Sequence, residues 1–123
     1  METLIIDETP DTPEIMLDRE NLTIRIEGSS YPENALTVYN PVLDWIENLG
    51  QKLPKPLVCD FHFNYISSSS KKLMYAMFLL MKELLNNGNQ VIINWYHDEH
   101  DDDMLELGEE FSELTDVPIV IKI

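Results

Sequence analysis

Leu57-Val58-Cys59-Asp60-Phe61-His62-Phe63-Asn64-Tyr65-Ile66-Ser67-Ser68-Ser69-Ser70-Lys71-Lys72-Leu73-Met74-Tyr75-Ala76-Met77-Phe78-Leu79-Leu80-Met81 is the stretch whose reading decides the fold. Its opening run is apolar and aromatic, with Asp60, His62 and Asn64 on one alternating face, and it reads as a strand over Leu57 to Phe63. After four serines the period lengthens. Lys71, Lys72, Tyr75, Lys82, Glu83 and Asn86 share one side and the remainder is apolar, which predicts a helix from about Ser69 to Asn87, stopped by Gly88. A strand running through serines into a helix with so wide an apolar arc belongs to an α/β layer, the helix packed on a sheet.

Working outward, Glu14 to Asp18 and Leu22 to Glu27 read as an antiparallel hairpin. The second strand alternates Leu22, Ile24 and Ile26 with Thr23, Arg25 and Glu27, so one face of the sheet is buried. Residues 1–13 are acidic and hold Pro10 and Pro13, which predicts a loosely held arm in which Leu4-Ile5-Ile6 can form a short strand. Gly28 to Asn34 is a loop by its turn residues, with Asn34 positioned to cap a helix over Ala35 to Leu49. Pro41 should kink that helix or mark its true first turn, and Gly50 ends it. Gln90 to Tyr96 is the fourth strand, Asp102 to Leu114 a third helix, and Ile119 to Ile123 a last strand. Repeated strand–helix–strand units favour right-handed crossovers and parallel pairing. The expectation is one α/β domain over 1–123: a mixed sheet of about five strands with an N-terminal hairpin, packed by three to four helices.

Composition narrows function. With 23 acidic against 8 basic residues and a net charge of -15 in 123 residues, the chain repels phosphate backbones and anionic membrane surfaces. Nucleic acid is excluded as a natural partner, and a protein with a basic face is favoured. The single cysteine, Cys59, sits in an apolar run and reads as a buried small hydrophobe. The N-terminus lacks the basic and apolar regions of a signal peptide, and the longest apolar stretch, Leu73 to Met81, is far short of a membrane span. A soluble, cytoplasmic protein is expected.

Three clusters invite chemistry. Hydroxyls at a strand-to-helix junction accept the helix's free N–H groups as a cap. They also present a site where a phosphate is accommodated by the positive end of the helix dipole. Both readings apply to Ser67 to Ser70. His97-Asp98-Glu99-His100-Asp101-Asp102-Asp103 offers two imidazoles and five carboxylates, but its spacing fits no compact zinc motif, and carboxylates before a helix already follow from dipole preference. Met74, Met77 and Met81 read first as core and second as an adaptable partner surface. His62, between Asp60 and Asn64, is a candidate base or simply part of a half-exposed strand. No phosphate-binding glycine loop, HExxH, GxSxG or CxxC occurs, and four glycines are too few for a nucleotide cradle. No cofactor is expected.

Three segments together resemble a known family. Gly28-x-Ser30-Tyr31-Pro32-Glu33-Asn34 is similar to the signature loop of the SiaC family of bacterial regulatory phosphoproteins. Tyr65-Ile66-Ser67-Ser68-Ser69-Ser70-Lys71-Lys72 resembles that family's Tyr-Leu-Asn-Thr-Ser-Ser segment. Trp95-x-His97-Asp98, with Leu105-Glu106-Leu107-x-Glu109-Glu110-Phe111, is similar to its Trp-x-Tyr-Asp and Glu-Leu-x-Glu-Glu-Phe stretch. The resemblance implies a STAS-like plan and a partner-switching function. A dedicated Ser/Thr kinase and a PP2C-like phosphatase set the state of one hydroxyl, and the unmodified form binds and activates a diguanylate cyclase, raising cyclic di-GMP. The family's threonine falls on Ser68, with Ser67 and Ser69 as alternates. Tyr31, Pro32, Glu33, Asn34, Tyr65, Ser69, Ser70, Lys71 and Lys72 are the implied partner surface. Two rival readings stand beside this one: an anti-sigma factor antagonist acting on a sigma-factor inhibitor, and a metal-dependent enzyme built on His62, His97 and His100.

Overall fold

The structure is a computed structural model that describes residues 3–123; Met1 and Glu2, the first two residues of the expected arm, lie outside the described residues. Six strands run β1 (Thr3–Ile6), β2 (Glu14–Asp18), β3 (Thr23–Ser30), β4 (Leu57–Ile66), β5 (Val91–Tyr96) and β6 (Val120–Lys122). Three helices, α1 (Ala35–Glu47), α2 (Ser68–Asn86) and α3 (Asp102–Thr115), make the crossovers between β3 and β6. The strands lie in the sheet in chain order: β1, β2 and β3 pair antiparallel, and β3 through β6 pair parallel. Because that order never reverses, crossovers of one hand place all three helices on the same face. The burial alternation agrees: Ile24 and Ile26 are buried, whereas Arg25 and Glu27 beside them are exposed.

The architecture is the mixed α/β sheet expected, with six strands in place of about five. The difference lies in the N-terminal arm. Leu4 pairs with Leu17 and Ile6 with Ile15, so residues 3–6 are an edge strand. Pro41 neither begins nor interrupts α1, which runs through it; the missing N–H falls on a helix face close to solvent, where the carbonyl four residues back, on exposed Thr37, can bond water. Glycine at 28 is required twice over. Its φ is +127°, and a Cβ there would sit 3.3 Å from Pro13 Cα.

The core is aromatic at its centre. Phe61, Phe78 and Trp95 are fully buried, with Phe63 and Phe111 nearly so. Ring centroids lie 5.0 Å apart for Phe78 and Phe111 and 5.6 Å for Trp95 and Phe111. Trp95 Nε1 donates to Met104 O at 2.9 Å, tying β5 to the first turn of α3. Met74, Met77 and Met81 are all fully buried, so the core reading of that cluster holds. No helix among the described residues is long and apolar enough to cross a membrane.

Candidate functional site

The strand β4 runs three residues beyond Phe63, to Ile66, and its end is irregular. Gly28 pairs with Phe63 but Ser29 pairs with Tyr65, so Asn64 is an extra residue, a bulge. A bulge reverses the in-and-out phase of the residues after it. Leu57, Cys59, Phe61 and Phe63 point into the core, but after Asn64 it is Ile66 that is buried and Tyr65 that is 55% exposed. Tyr65 thereby meets Tyr31 edge to face at 5.8 Å, both rings standing in solvent at the end of the sheet. Ser67 N donates to Ser30 O at 2.8 Å and carries the β3–β4 ladder to the serine junction.

The four serines divide sharply. Ser67 is the N-cap of α2: its Oγ accepts from Ser70 N at 3.2 Å. Ser70 is fully buried, and its hydroxyl joins a chain with no gap. Ser67 Oγ donates to Ser70 Oγ at 3.0 Å, Ser70 shares a proton with Ser30 Oγ at 2.8 Å, and Ser30 shares one with Tyr39 Oη at 2.6 Å. Burial pushes the Tyr39 phenol up to about 12, against the opposing pull of Ser30 and Ser70. Ser68 and Ser69 are exposed, at the first and second positions of α2, where backbone N–H groups have no helical acceptor. Ser69 Oγ lies 3.2 Å from Ser67 Oγ, whereas the Ser68 hydroxyl has no protein partner among the described residues. Lys71 and Lys72, three and four residues on, share Ser68's side of the helix and are exposed.

Of the surface residues implied by sequence, Tyr31, Glu33, Tyr65, Ser69, Lys71 and Lys72 are exposed around this junction. Asn34 is exposed but occupied, accepting from Thr37 N at 3.3 Å as the cap of α1. Pro32 and Ser70 are corrections: both are buried, Ser70 in the hydroxyl chain, so neither side chain faces a partner. Sequence reasoning missed Ser30 and Tyr39. Ser30 was signalled by parity, since it continues the buried series Leu22, Ile24, Ile26 and Gly28.

The three histidines do not converge. His97 is buried, and its Nδ1–H donates to Asp98 O at 2.8 Å; His62 Nε2 lies 3.3 Å from Asp98 Oδ1; His100 is exposed. Asp101 caps α3 by accepting from Met104 N at 3.1 Å. Among the described residues no three His, Cys, Asp or Glu side chains gather into a metal-holding group. Cys59 is fully buried, and burial beside Asp60 drives its thiol far above the ordinary range, so it is no nucleophile.

Comparison with known proteins places this arrangement. A family profile described as SiaC family regulatory phosphoprotein matches residues 6–123. An uncharacterized protein of Pseudomonas aeruginosa (strain UCBPP-PA14) is 33% identical over 122 residues, covering 99% of this chain and 97% of that one. The crystal structure of apo-SiaC from Pseudomonas aeruginosa superposes with a TM-score of 0.89 at 33% identity, covering all of both chains. SiaC from that organism has also been solved as the activator in complex with the diguanylate cyclase SiaD; this chain matches that structure with a TM-score of 0.88 at 34% identity over 97% of its length and 98% of the other's.

Proposed function

The chain belongs to the SiaC family of regulatory phosphoproteins, and on that premise we propose that it is a non-enzymatic switch whose Ser68 hydroxyl, when free, permits binding and activation of a diguanylate cyclase. A cognate Ser/Thr kinase adds the phosphate and a PP2C-like phosphatase removes it. The observation that carries the reading is the division of labour among the serines. Ser67 and Ser70 are held in internal hydrogen bonds, and Ser68 alone of the four has an exposed, unpartnered hydroxyl among the described residues.

The cyclase is favoured as target because the similar SiaC is an activator of one. The contact surface we assign is the exposed pair Tyr31 and Tyr65 with the first turn of α2. Two rigid aromatics flanking a polar centre are the composition of an interface hot spot. A phosphate on Ser68 adds about -1.5 to -2 charge to that centre. An interface arranged around a neutral hydroxyl must then desolvate a dianion, and a cost of ~3 kcal/mol weakens binding by more than a hundredfold. Lys71, Lys72 and the helix dipole favour the modified state locally without removing that cost to the partner.

Two measurements test this. Incubation with the cognate kinase and ATP, followed by peptide mass spectrometry, is expected to place one phosphate on Ser68. Pull-down of the cyclase is expected to succeed with Ser68→Ala and fail with Ser68→Asp. Absence of phosphate anywhere in Ser67 to Ser70, or equal recovery by both variants, sinks the proposal.

A further inference from the structure

The face of the sheet turned away from the helices carries a cleft of its own. Arg25 and Glu27 on β3, Asp60 and His62 on β4 and Tyr96 on β5 alternate with the core residues Ile24, Ile26, Phe61 and Trp95, and so share that uncovered face. Arg25 lies directly opposite Asp60, and Glu27 opposite His62. Neighbouring strands run ~4.8 Å apart, so opposite charges placed in this way are within reach of one another. Arg25 and Asp60 nevertheless stay apart: among the described residues Arg25 reaches only Glu27, at 3.9 Å. The reason lies on the other side of β4. Asp60 Oδ1 accepts from Asn94 Nδ2 at 2.8 Å, and His62 Nε2 lies 3.3 Å from Asp98 Oδ1, so both β4 side chains are committed toward β5. Asn94, which holds Asp60 in place, is itself only 9% exposed. A cavity of about 240 Å³ is left, lined by Arg25, Ile26, Glu27, Asp60, His62 and Tyr96.

We propose that this cleft binds a free α-amino acid, its carboxylate on the Arg25 guanidinium, its ammonium between Glu27 and Asp60, and its side chain against the His62 and Tyr96 rings. Opposite charges that face each other unpaired are bridged by a ligand carrying both charges a short distance apart, and a guanidinium takes a carboxylate two-pronged. The surrounding charge requires the ammonium group. Glu14 lies opposite Glu27, Asp98 lies beside His62, and Lys122 Nζ lies 5.9 Å from the centre of the Tyr96 ring. Arg25 and Lys122 therefore stand against Glu14, Glu27, Asp60 and Asp98, an excess of carboxylate that repels a simple anion. Size sets the rest. The cavity falls below the ~300 Å³ at which drug-sized ligands begin, too small for a nucleotide and sufficient for one amino acid. The His62 and Tyr96 rings, 6.0 Å apart and tilted by 38°, offer apolar surface to its side chain. Because the cleft opens on the face opposite α2, the proposal stands or falls apart from the assignment of Ser68.

The test titrates the isotope-labelled full chain with L-phenylalanine, L-arginine and L-serine in turn and follows the amide chemical shifts. At least one of the three is expected to bind, with shifts gathered at Arg25 to Glu27, Asp60 to His62 and Tyr96. The N-acetyl and the carboxamide forms of that amino acid, each lacking one of its two backbone charges, are expected to bind about tenfold or more weakly. Arg25→Gln and Asp60→Asn, the second keeping an oxygen for Asn94, should each weaken binding about tenfold, while Glu20→Gln in the turn between β2 and β3 leaves it unchanged. The amide spectra of the variants report in the same experiment that they are folded. No shifts with any of the three amino acids, equal affinity of the blocked forms, undiminished binding by folded Arg25→Gln and Asp60→Asn, or shifts confined to other elements would overturn the inference.

Discussion

Gly108 is the position where a single methyl group should do most damage. A Cβ added there meets Trp95 Cδ1 at 2.5 Å and both Cγ and Nε1 at 2.8 Å, about 1 Å inside van der Waals contact. The indole has nowhere to go. It is fully buried, its ring lies 5.8 Å from Phe63 and 5.6 Å from Phe111, and its N–H is held by Met104 O. α3 must therefore lift off the sheet. Overpacking of this kind costs ~1–3 kcal/mol and loss of the indole hydrogen bond ~1 kcal/mol. Against this, alanine is a better helix former than glycine by ~1 kcal/mol. The clash wins, and Gly108→Ala is expected to lose ~2 kcal/mol, lowering Tm by ~8 °C in a domain of this size. Urea unfolding followed by circular dichroism should show a lower midpoint at unchanged slope. Glu109→Ala, on the exposed side of the same turn, should stay within ~0.5 kcal/mol of the parent. Adding Trp95→Ala to Gly108→Ala removes every clashing ring atom, so the two losses should be less than additive by ~1 kcal/mol or more. A Gly108→Ala protein as stable as the parent would refute the overpacking account and mean that helix propensity, not the Trp95 contact, governs this turn.

The serine junction and the buried hydroxyl chain carry three more expectations. Ser70→Ala removes a fully buried hydroxyl bonded to Ser30 and Ser67 and should cost ~1–2 kcal/mol, whereas exposed Ser69→Ala should cost ~0.5 kcal/mol or less; equal losses by urea titration would contradict the internal role given to Ser70. Tyr39 keeps its proton up to about 12 in the fold against 10.0 ordinarily, so above pH ~10 the unfolded chain ionises first and stability falls as pH climbs through that window. Cys59, also raised, begins the decline nearer its ordinary 9.0, and Tyr39→Phe should flatten only the higher part of the curve. Stoichiometric phosphorylation of Ser68 should raise Tm by a few degrees, because the helix dipole and two lysines contribute ~1 kcal/mol together; a lower Tm would place the phosphate in a less favourable environment than the start of α2.

The elements legible in the chain are those with a clean period. β3 alternates, α2 has a wide apolar arc, and both appear within a few residues of the expected bounds. Local pattern cannot show pairing. Leu4, Ile5 and Ile6 are too few to assert a strand on their own, yet opposite Leu17, Met16 and Ile15 they complete the sheet's edge. Alternation ceases at Phe63, which is where the sequence alone ends β4. The strand continues through a bulge at Asn64, a feature defined by its partner strand and therefore absent from any single-strand pattern.

That bulge also explains why the site is only half readable from sequence. In an unbroken pleat Tyr65 would follow Phe61 and Phe63 into the core and Ile66 would face solvent. One inserted residue exchanges them, so an aromatic stands beside Tyr31 and an aliphatic side chain seals the floor beneath Ser67. The same reversal sets the serines. With Ile66 buried, Ser67 arrives as a cap, and α2 then turns Ser70, three residues on, inward to Ser30 and Tyr39 while Ser68 and Ser69 face water. Which of four identical side chains is left open to solvent is thus decided by the phase of the strand before them. Deleting Asn64 should remove the bulge without exchanging the two faces, because Tyr65 already lies opposite Ser29 and Ile66 opposite Ser30 and the three pairs then follow one another regularly. The variant should keep the exposed tyrosine pair, with Tyr65 still quenched by solvent acrylamide. A Tyr65 shielded from acrylamide in that variant would show that register with β3 does not set the phase.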